Sequence, residues 1–158
     1  MDSRIHAPVG FLACFIVYVI TYYIYENGNT WALVFSSIVG SILPDWDKIF
    51  QLPHRNWFTH SFIVPLLCLI YMLGWDIARY YDVFFLILGL GFHLFFDLKI
   101  SGKMGTYCIV KPGFVMRKTK TGRKKAGYDA MTAKHTDIWL LANGAACFIS
   151  CFLLYILF

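Results

Sequence analysis

Five continuous runs of hydrophobic residues alternate with short polar segments along this chain of 158 residues. The runs lack the every-second-residue alternation of a half-buried strand, which favours helices. Lipid supplies no water to satisfy an unpaired backbone, so a helix is also the form that a single apolar run takes inside a bilayer. The pattern predicts five helices, at residues 9–25, 31–43, 62–75, 83–98 and 138–158.

The composition places these helices in a membrane. Hydrophobic residues make up 59% of the chain and charged residues 15%, against about 25% charged in ordinary soluble domains. A bilayer core asks for about 20 helical residues, so the first and last runs are long enough, while the middle three need polar ends at the interface or a thinned bilayer. We interpret the first run as a retained span, because no clear signal-peptide cleavage site follows it. The fold prediction is therefore a single all-α domain, residues 1–158, forming a polytopic transmembrane bundle of about five helices.

A basic segment at residues 99–136 separates the last two runs and is predicted to be an extramembrane loop. If the five spans alternate, 13 of the 14 Lys and Arg residues fall on one side, and Arg79 alone falls on the other. The positive-inside rule then predicts a protein of the cytoplasmic membrane with a cytoplasmic N-terminus and an external C-terminus. The loop is expected to contact anionic lipid headgroups. Nucleic-acid binding is not expected, because the run KTKTGRKK has no interleaved aromatic residues.

All five histidines also fall on the predicted cytoplasmic side, as do Asp45, Asp47, Asp97 and Asp137, and most of these residues lie near the ends of different helices. His93 and Asp97 are four residues apart and so share one helix face. Helix ends that aim imidazole and carboxylate groups at one point resemble the way bundle metal sites are built. The predicted metal ligands are His6, Asp45, Asp47, His60, His93 and Asp97, with His54 and His135 as possible additions.

These donors suit a divalent metal, one or two ions of Zn, Mn or Fe, and an ion bound there would generate a hydroxide nucleophile from water. Asp47, Asp97 and Arg55 are the predicted catalytic residues. Arg55 and Lys48 are the predicted phosphate-binding residues, because guanidinium and ammonium groups pair with phosphate oxygens. Thr59 and Ser61 are placed to bind a ligand or to orient a histidine.

Simpler interpretations of the same residues stay open. Asp45 can cap a turn, Asp47 can pair with Lys48 at the surface, and His54 can be an interfacial loop residue. His135 can begin a helix that a neighbouring side chain, such as Thr136, caps. A non-catalytic protein with a structural metal, or an interaction or transport protein, is the alternative to an enzyme, although no polar path crosses the predicted bilayer.

Three segments, GSILPDWD, HRNWFTHS and GFHLFFDL, resemble in that order the motifs of the YdjM-like membrane-bound metal-dependent hydrolases. An early histidine, here His6, belongs to the same pattern. The resemblance covers roughly residues 1–106 and implies a small helical membrane protein with a metal centre and hydrolase activity. Membrane location then suggests a phosphoester of a lipid or lipid-linked substrate, with ester or amide hydrolysis left open. The oligomeric state is not predicted.

Overall fold

A computed structural model describes residues 3–25, 30–48, 55–75, 80–98, 108–118 and 124–157. These residues are mostly helical, so the predicted all-α fold is confirmed, and each of the five predicted runs contains a helix. A 3-10 helix and a two-stranded antiparallel hairpin complete the described structure. The elements are α1 (Ser3–Tyr25), α2 (Thr30–Ile42), the 3-10 helix (Leu43–Lys48), α3 (Ile63–Trp75), α4 (Tyr80–Asp97), β1 (Val110–Lys118), β2 (Lys124–Ala130) and α5 (Ala133–Leu157).

Helix α4 lies at the centre and contacts each of the other four helices. Its approach to α2 is close because glycines lie at the contact. A Cβ atom added at Gly89 would lie 2.5 Å from the carbonyl oxygen of Ser37, and one added at Gly40 would overlap the carbonyl group of Leu86. Small residues let two helix backbones approach in this way. Gly40 of α2 and Gly89 of α4 therefore serve packing within the chain.

Large apolar side chains remain exposed on the outer faces of the helices. On α5, for example, Ile149 is 60% exposed and Phe152 is 63% exposed. Exposed apolar surface on this scale needs a lipid or protein environment. Among the described helices, α4 and α5 are long and apolar enough to cross a membrane, and Pro8–Val19 and Ile63–Gly74 are shorter apolar segments. These features fit insertion into a bilayer.

The hairpin formed by β1 and β2 lies inside residues 99–136, which the sequence pattern predicted as an extramembrane loop without identifying any strand. That prediction was incomplete because part of what holds the hairpin is a distant segment. The Val110 N–H donates to the carbonyl of Arg55 at 2.9 Å, and the Trp57 N–H donates to the carbonyl of Val110 at 3.1 Å. These hydrogen bonds join the base of β1 to residues 55–57. The sequence of residues 99–136 is rich in Lys and Gly, which are uncommon in strands, so it does not predict this pairing.

Candidate metal centre

Three segments bring a carboxylate and two imidazoles together. One ligand atom each from Asp45, His60 and His93 lies within 4.8 Å of the others. Asp45 is in the first turn of the 3-10 helix. Helix α2 ends just before this element because Pro44 disfavours α-helical geometry in the residue that precedes it. His60 lies in the turn before α3, and His93 lies on the buried face of α4. The group is able to hold a divalent metal ion.

His93 is oriented by the backbone of α2. Its Nδ1 lies 2.6 Å from the carbonyl oxygen of Ser41, and a carbonyl can only accept, so the ring proton lies on Nδ1. The lone pair of Nε2 then faces the cluster. This is the arrangement in which proteins present histidine to a metal, with the other ring nitrogen donating to an oxygen. The close contact of α2 with α4 is what brings Ser41 within reach.

His60 is oriented by its neighbour Thr59. The Thr59 hydroxyl donates to the carbonyl of Asn56 at 3.1 Å, so its oxygen accepts the Nδ1 proton of His60 at 3.0 Å. His60 Nε2 is buried and has no hydrogen-bond partner among the residues that the structure describes. Burial, with a smaller contribution from His93, lowers the pKa of His60 to about 3. The ring is therefore neutral near pH 7, as metal ligation requires.

Asp97 supplies a further oxygen to the same place. Its Oδ2 lies 3.7 Å from His60 Nε2 and 3.6 Å from His93 Nε2, longer than an ordinary N–H···O bond. Two ligands of a tetrahedral ion with bonds of about 2.0–2.1 Å lie about 3.3–3.4 Å apart. The observed separations are therefore close to those of ligands that share one ion. Asp45 Oδ2 is also buried and without a hydrogen-bond partner in the described part of the chain.

Arg55 and Asp47 form a chain of hydrogen bonds that ends at Asp97. Arg55 Nη2 donates to Asp97 Oδ1 at 2.8 Å, and both side chains are at most 3% exposed. The backbone N–H of Arg55 donates to Asp47 Oδ2, and Arg55 has a φ of 60°, an uncommon value for a residue with a Cβ. Asp47 is fully buried, so its interpretation as a surface partner of Lys48 is wrong.

The predicted site residues thus divide into separate groups. Asp45, His60 and His93 come together, and Asp97 lies beside the two histidines. Arg55 donates to Asp97, and Asp47 accepts the backbone N–H of Arg55. His135 is exposed and outside the cluster, at the start of α5, where its Nδ1 lies 2.8 Å from the Thr132 hydroxyl. The cap of that helix is Thr132 rather than Thr136, whose hydroxyl accepts the Ile109 N–H. His54 and the side chains of His6 and Lys48 lie outside the described residues.

Two residues of α5 that the sequence pattern did not single out hold the turn that carries His60. The indole N–H of Trp139 donates to the carbonyl of His60 at 2.8 Å, and Asn143 Oδ1 accepts the backbone N–H of Phe62 at 2.7 Å. The sequence offered one indication of this contact, namely Asn143, which is an amide side chain within an apolar helix. Buried polar groups of this kind usually have a specific hydrogen-bond partner.

Comparison with known proteins extends the resemblance seen in the motifs. A profile of the family described as "YdjM inner membrane protein" matches residues 1–156, which includes the hairpin and α5 as well as the three motifs. No curated protein and no solved structure matches this chain. The match covers nearly the whole sequence, and the apolar helices agree with it. The chain belongs to the YdjM inner membrane protein family.

Proposed function

We propose that this protein is a membrane-bound metal-dependent hydrolase that cleaves a phosphoester of a lipid or lipid-linked substrate at the cytoplasmic face. The observation that carries the proposal is that one ligand atom each of Asp45, His60 and His93 lies within 4.8 Å of the others, with Asp97 Oδ2 3.7 Å and 3.6 Å from Nε2 of the two histidines. Imidazole and carboxylate donors of this kind suit Zn, Mn or Fe. The positive-inside rule, applied to five crossing helices, supports the cytoplasmic orientation.

Each residue has a role in this proposal. His60 and His93 bind the metal as neutral imidazoles, fixed in that form by Thr59 and by the backbone carbonyl of α2. Asp97 offers Oδ2 to the metal while its Oδ1 is held by Arg55. A bound divalent ion supplies a hydroxide at neutral pH and polarises the phosphoester. Asp45 is only partly buried, unlike His60, His93 and Asp97, and for that reason it is our candidate general base for the attacking water.

The geometry revises two roles given to residues from sequence. Asp47 was predicted to be a ligand and a catalytic group, but its Oδ2 accepts the N–H of Arg55. We now give Asp47 a positioning role. Arg55 was predicted to bind phosphate. Because Arg55 donates to Asp97, we propose that its main role is to orient the Asp97 carboxylate. Lys48, at the end of the 3-10 helix, keeps its predicted phosphate-binding role in the proposal.

A structural metal is the second candidate, and the burial of the cluster favours it. His60, His93 and Asp97 are each at most 2% exposed, as is common for ions that pin segments together. In that case the ion would join the 3-10 helix, the turn before α3 and the end of α4 without performing chemistry. Removing the metal would then unfold this region but would affect no reaction.

Turnover separates the two candidates. The metal-loaded protein in mild detergent would be assayed for phosphate release from phosphatidic acid and from a water-soluble phosphomonoester. We expect Asp45→Asn to lower the rate about 100-fold, as for loss of a general base, at unchanged thermal stability. Asp82→Asn, at the opposite end of α4, is the matched control and should keep full activity. Metal-loaded wild-type protein without phosphoesterase activity, but destabilised by chelation, would favour the structural ion.

A further inference from the structure

An open groove of about 460 Å³ lies beside the base of the hairpin, away from the metal ligands. Its volume is in the range of sites that bind small molecules. One wall is α5 and the other is the start of β1 with the residue after β2. The residues that line it are Lys111, Met131, His135, Ile138, Trp139 and Ala142.

The rim of the groove offers hydrogen-bond donors suited to an anion. Lys111 is 48% exposed and contacts Asp129 at 3.2 Å, which leaves further ammonium protons for a ligand. The Thr132 hydroxyl accepts the backbone N–H of His135 and lies 2.8 Å from His135 Nδ1. In the tautomer in which the hydroxyl donates to Nδ1, the ring proton of His135 lies on Nε2 and is available to a ligand. An ammonium group and an imidazole N–H at one rim form a donor pair for a phosphate oxygen.

The floor of the groove continues onto the apolar face of α5. Ile138 and Ala142 are followed at helical spacing by Ala145, Ile149 and Phe152, all exposed. This stripe runs along the helix that is long and apolar enough to cross the bilayer. A hydrocarbon chain that leaves the groove along α5 would therefore remain on apolar surface.

The hairpin whose base borders the groove is rich in basic residues. Its strand register pairs Arg117 with Lys125 and Lys118 with Lys124, at the end of the hairpin remote from the groove. Basic residues close to an anionic membrane surface are attracted to it. The sequence of the hairpin therefore suits a position against anionic headgroups.

We infer that this groove binds an anionic phospholipid, with its phosphate at Lys111 and His135 and an acyl chain along the exposed face of α5. The inference does not depend on hydrolysis, because a lipid bound here need not be the substrate. Trp139 lines the groove and also donates to the carbonyl of His60. An occupied groove would therefore contact a residue that helps to position the metal centre.

Lipid binding to the delipidated full-length protein, measured by native mass spectrometry in mild detergent, tests the inference. Phosphatidylglycerol should bind about tenfold more tightly than phosphatidylcholine with the same chains, since each basic contact near a membrane surface is worth about fivefold or more. Combining Lys111→Gln with His135→Gln should reduce the preference to about twofold or less. Lys134→Gln, which removes a charge one residue from His135 but outside the groove lining, should preserve it.

A second pair of variants tests the apolar floor. Ala142→Trp should fill the groove and weaken binding of both lipids, whereas Leu141→Trp, on the neighbouring exposed position, should bind as wild type does. Equal affinity of wild-type protein for the two lipids would overturn the inference. Equal loss of the preference in Lys134→Gln would also overturn it, by showing a diffuse charge effect. Binding of glycerol phosphate as tight as that of the lipid would replace it with a site for soluble phosphates.

Discussion

The buried ion pair of Arg55 with Asp97 should be one of the largest single contributions to the position of the metal centre. Removing one partner of such a pair costs about 3–5 kcal/mol, because the other charge is left buried without compensation. Arg55 Nη2 and Asp97 Oδ1 are 2.8 Å apart, with side chains 3% and 2% exposed. We therefore expect Arg55→Met and Asp97→Asn each to lower the free energy of unfolding of the metal-free protein by about this amount.

A double-mutant cycle isolates the pair. Arg55→Met keeps a Cβ at the position with positive φ, so the backbone strain there is the same in both proteins. The double variant should lose about 2 kcal/mol less than the sum of the two single losses, which is the coupling expected of residues in contact. Chelator is present throughout, because an ion beside Asp97 would neutralise the carboxylate and reduce the effect.

The assay is unfolding in detergent micelles by titration with sodium dodecyl sulfate, followed by far-UV circular dichroism. The matched control is the cycle of Lys111→Met with Asp129→Asn, since that pair is 3.2 Å apart but 48% and 41% exposed. Its coupling should be about 1 kcal/mol or less. The inference that Arg55 holds Asp97 would be refuted if the loss of unfolding free energy in the double variant equalled the sum of the two single losses to within about 0.5 kcal/mol.

Two further predictions concern how the histidines are held. Gly89→Ala should lower the free energy of unfolding by about 1–3 kcal/mol and weaken zinc binding, because the new Cβ pushes α4 away from α2. The control is Gly74→Ala, whose added Cβ has nothing within 4 Å, and it should change neither the stability nor the zinc affinity. Thermal unfolding and zinc titration measure the two quantities. Thr59→Val should weaken zinc binding about 10-fold to 100-fold, because it removes the oxygen that accepts the His60 ring proton. The control is Thr132→Val, which removes the hydroxyl that contacts the exposed His135. Equal zinc affinity in the Thr59→Val and Thr132→Val variants would contradict this role for Thr59.

The helices were predictable from sequence because their signal is local. Each apolar run is long and continuous, and the observed helices begin and end within about three residues of the predicted runs, except that α1 and α5 begin about six and five residues earlier. The residues of the candidate metal centre were predictable for a related reason. An imidazole and a carboxylate four residues apart in an apolar helix, such as His93 and Asp97, have few uses other than a shared partner.

The parts that sequence did not predict depend on contacts between distant segments. The hairpin is fixed partly by the pairing of Val110 with Arg55 and Trp57, which no local pattern encodes. The contact of Asp47 also joins separate segments, because this carboxylate, which is beside a lysine in sequence, accepts the backbone N–H of Arg55. Trp139 was missed because its hydrogen bond goes to a backbone carbonyl 79 positions earlier.

The most direct test of the metal centre is the metal content of the purified protein, measured by elemental mass spectrometry after exposure to Zn, Mn and Fe. At least one equivalent per chain should be present in the wild type, lost in both His60→Gln and His93→Gln, and retained in His135→Gln, whose histidine lies outside the cluster. Loss in both of the first two variants would establish a single shared centre. A wild-type protein that takes up none of the three metals would contradict the account.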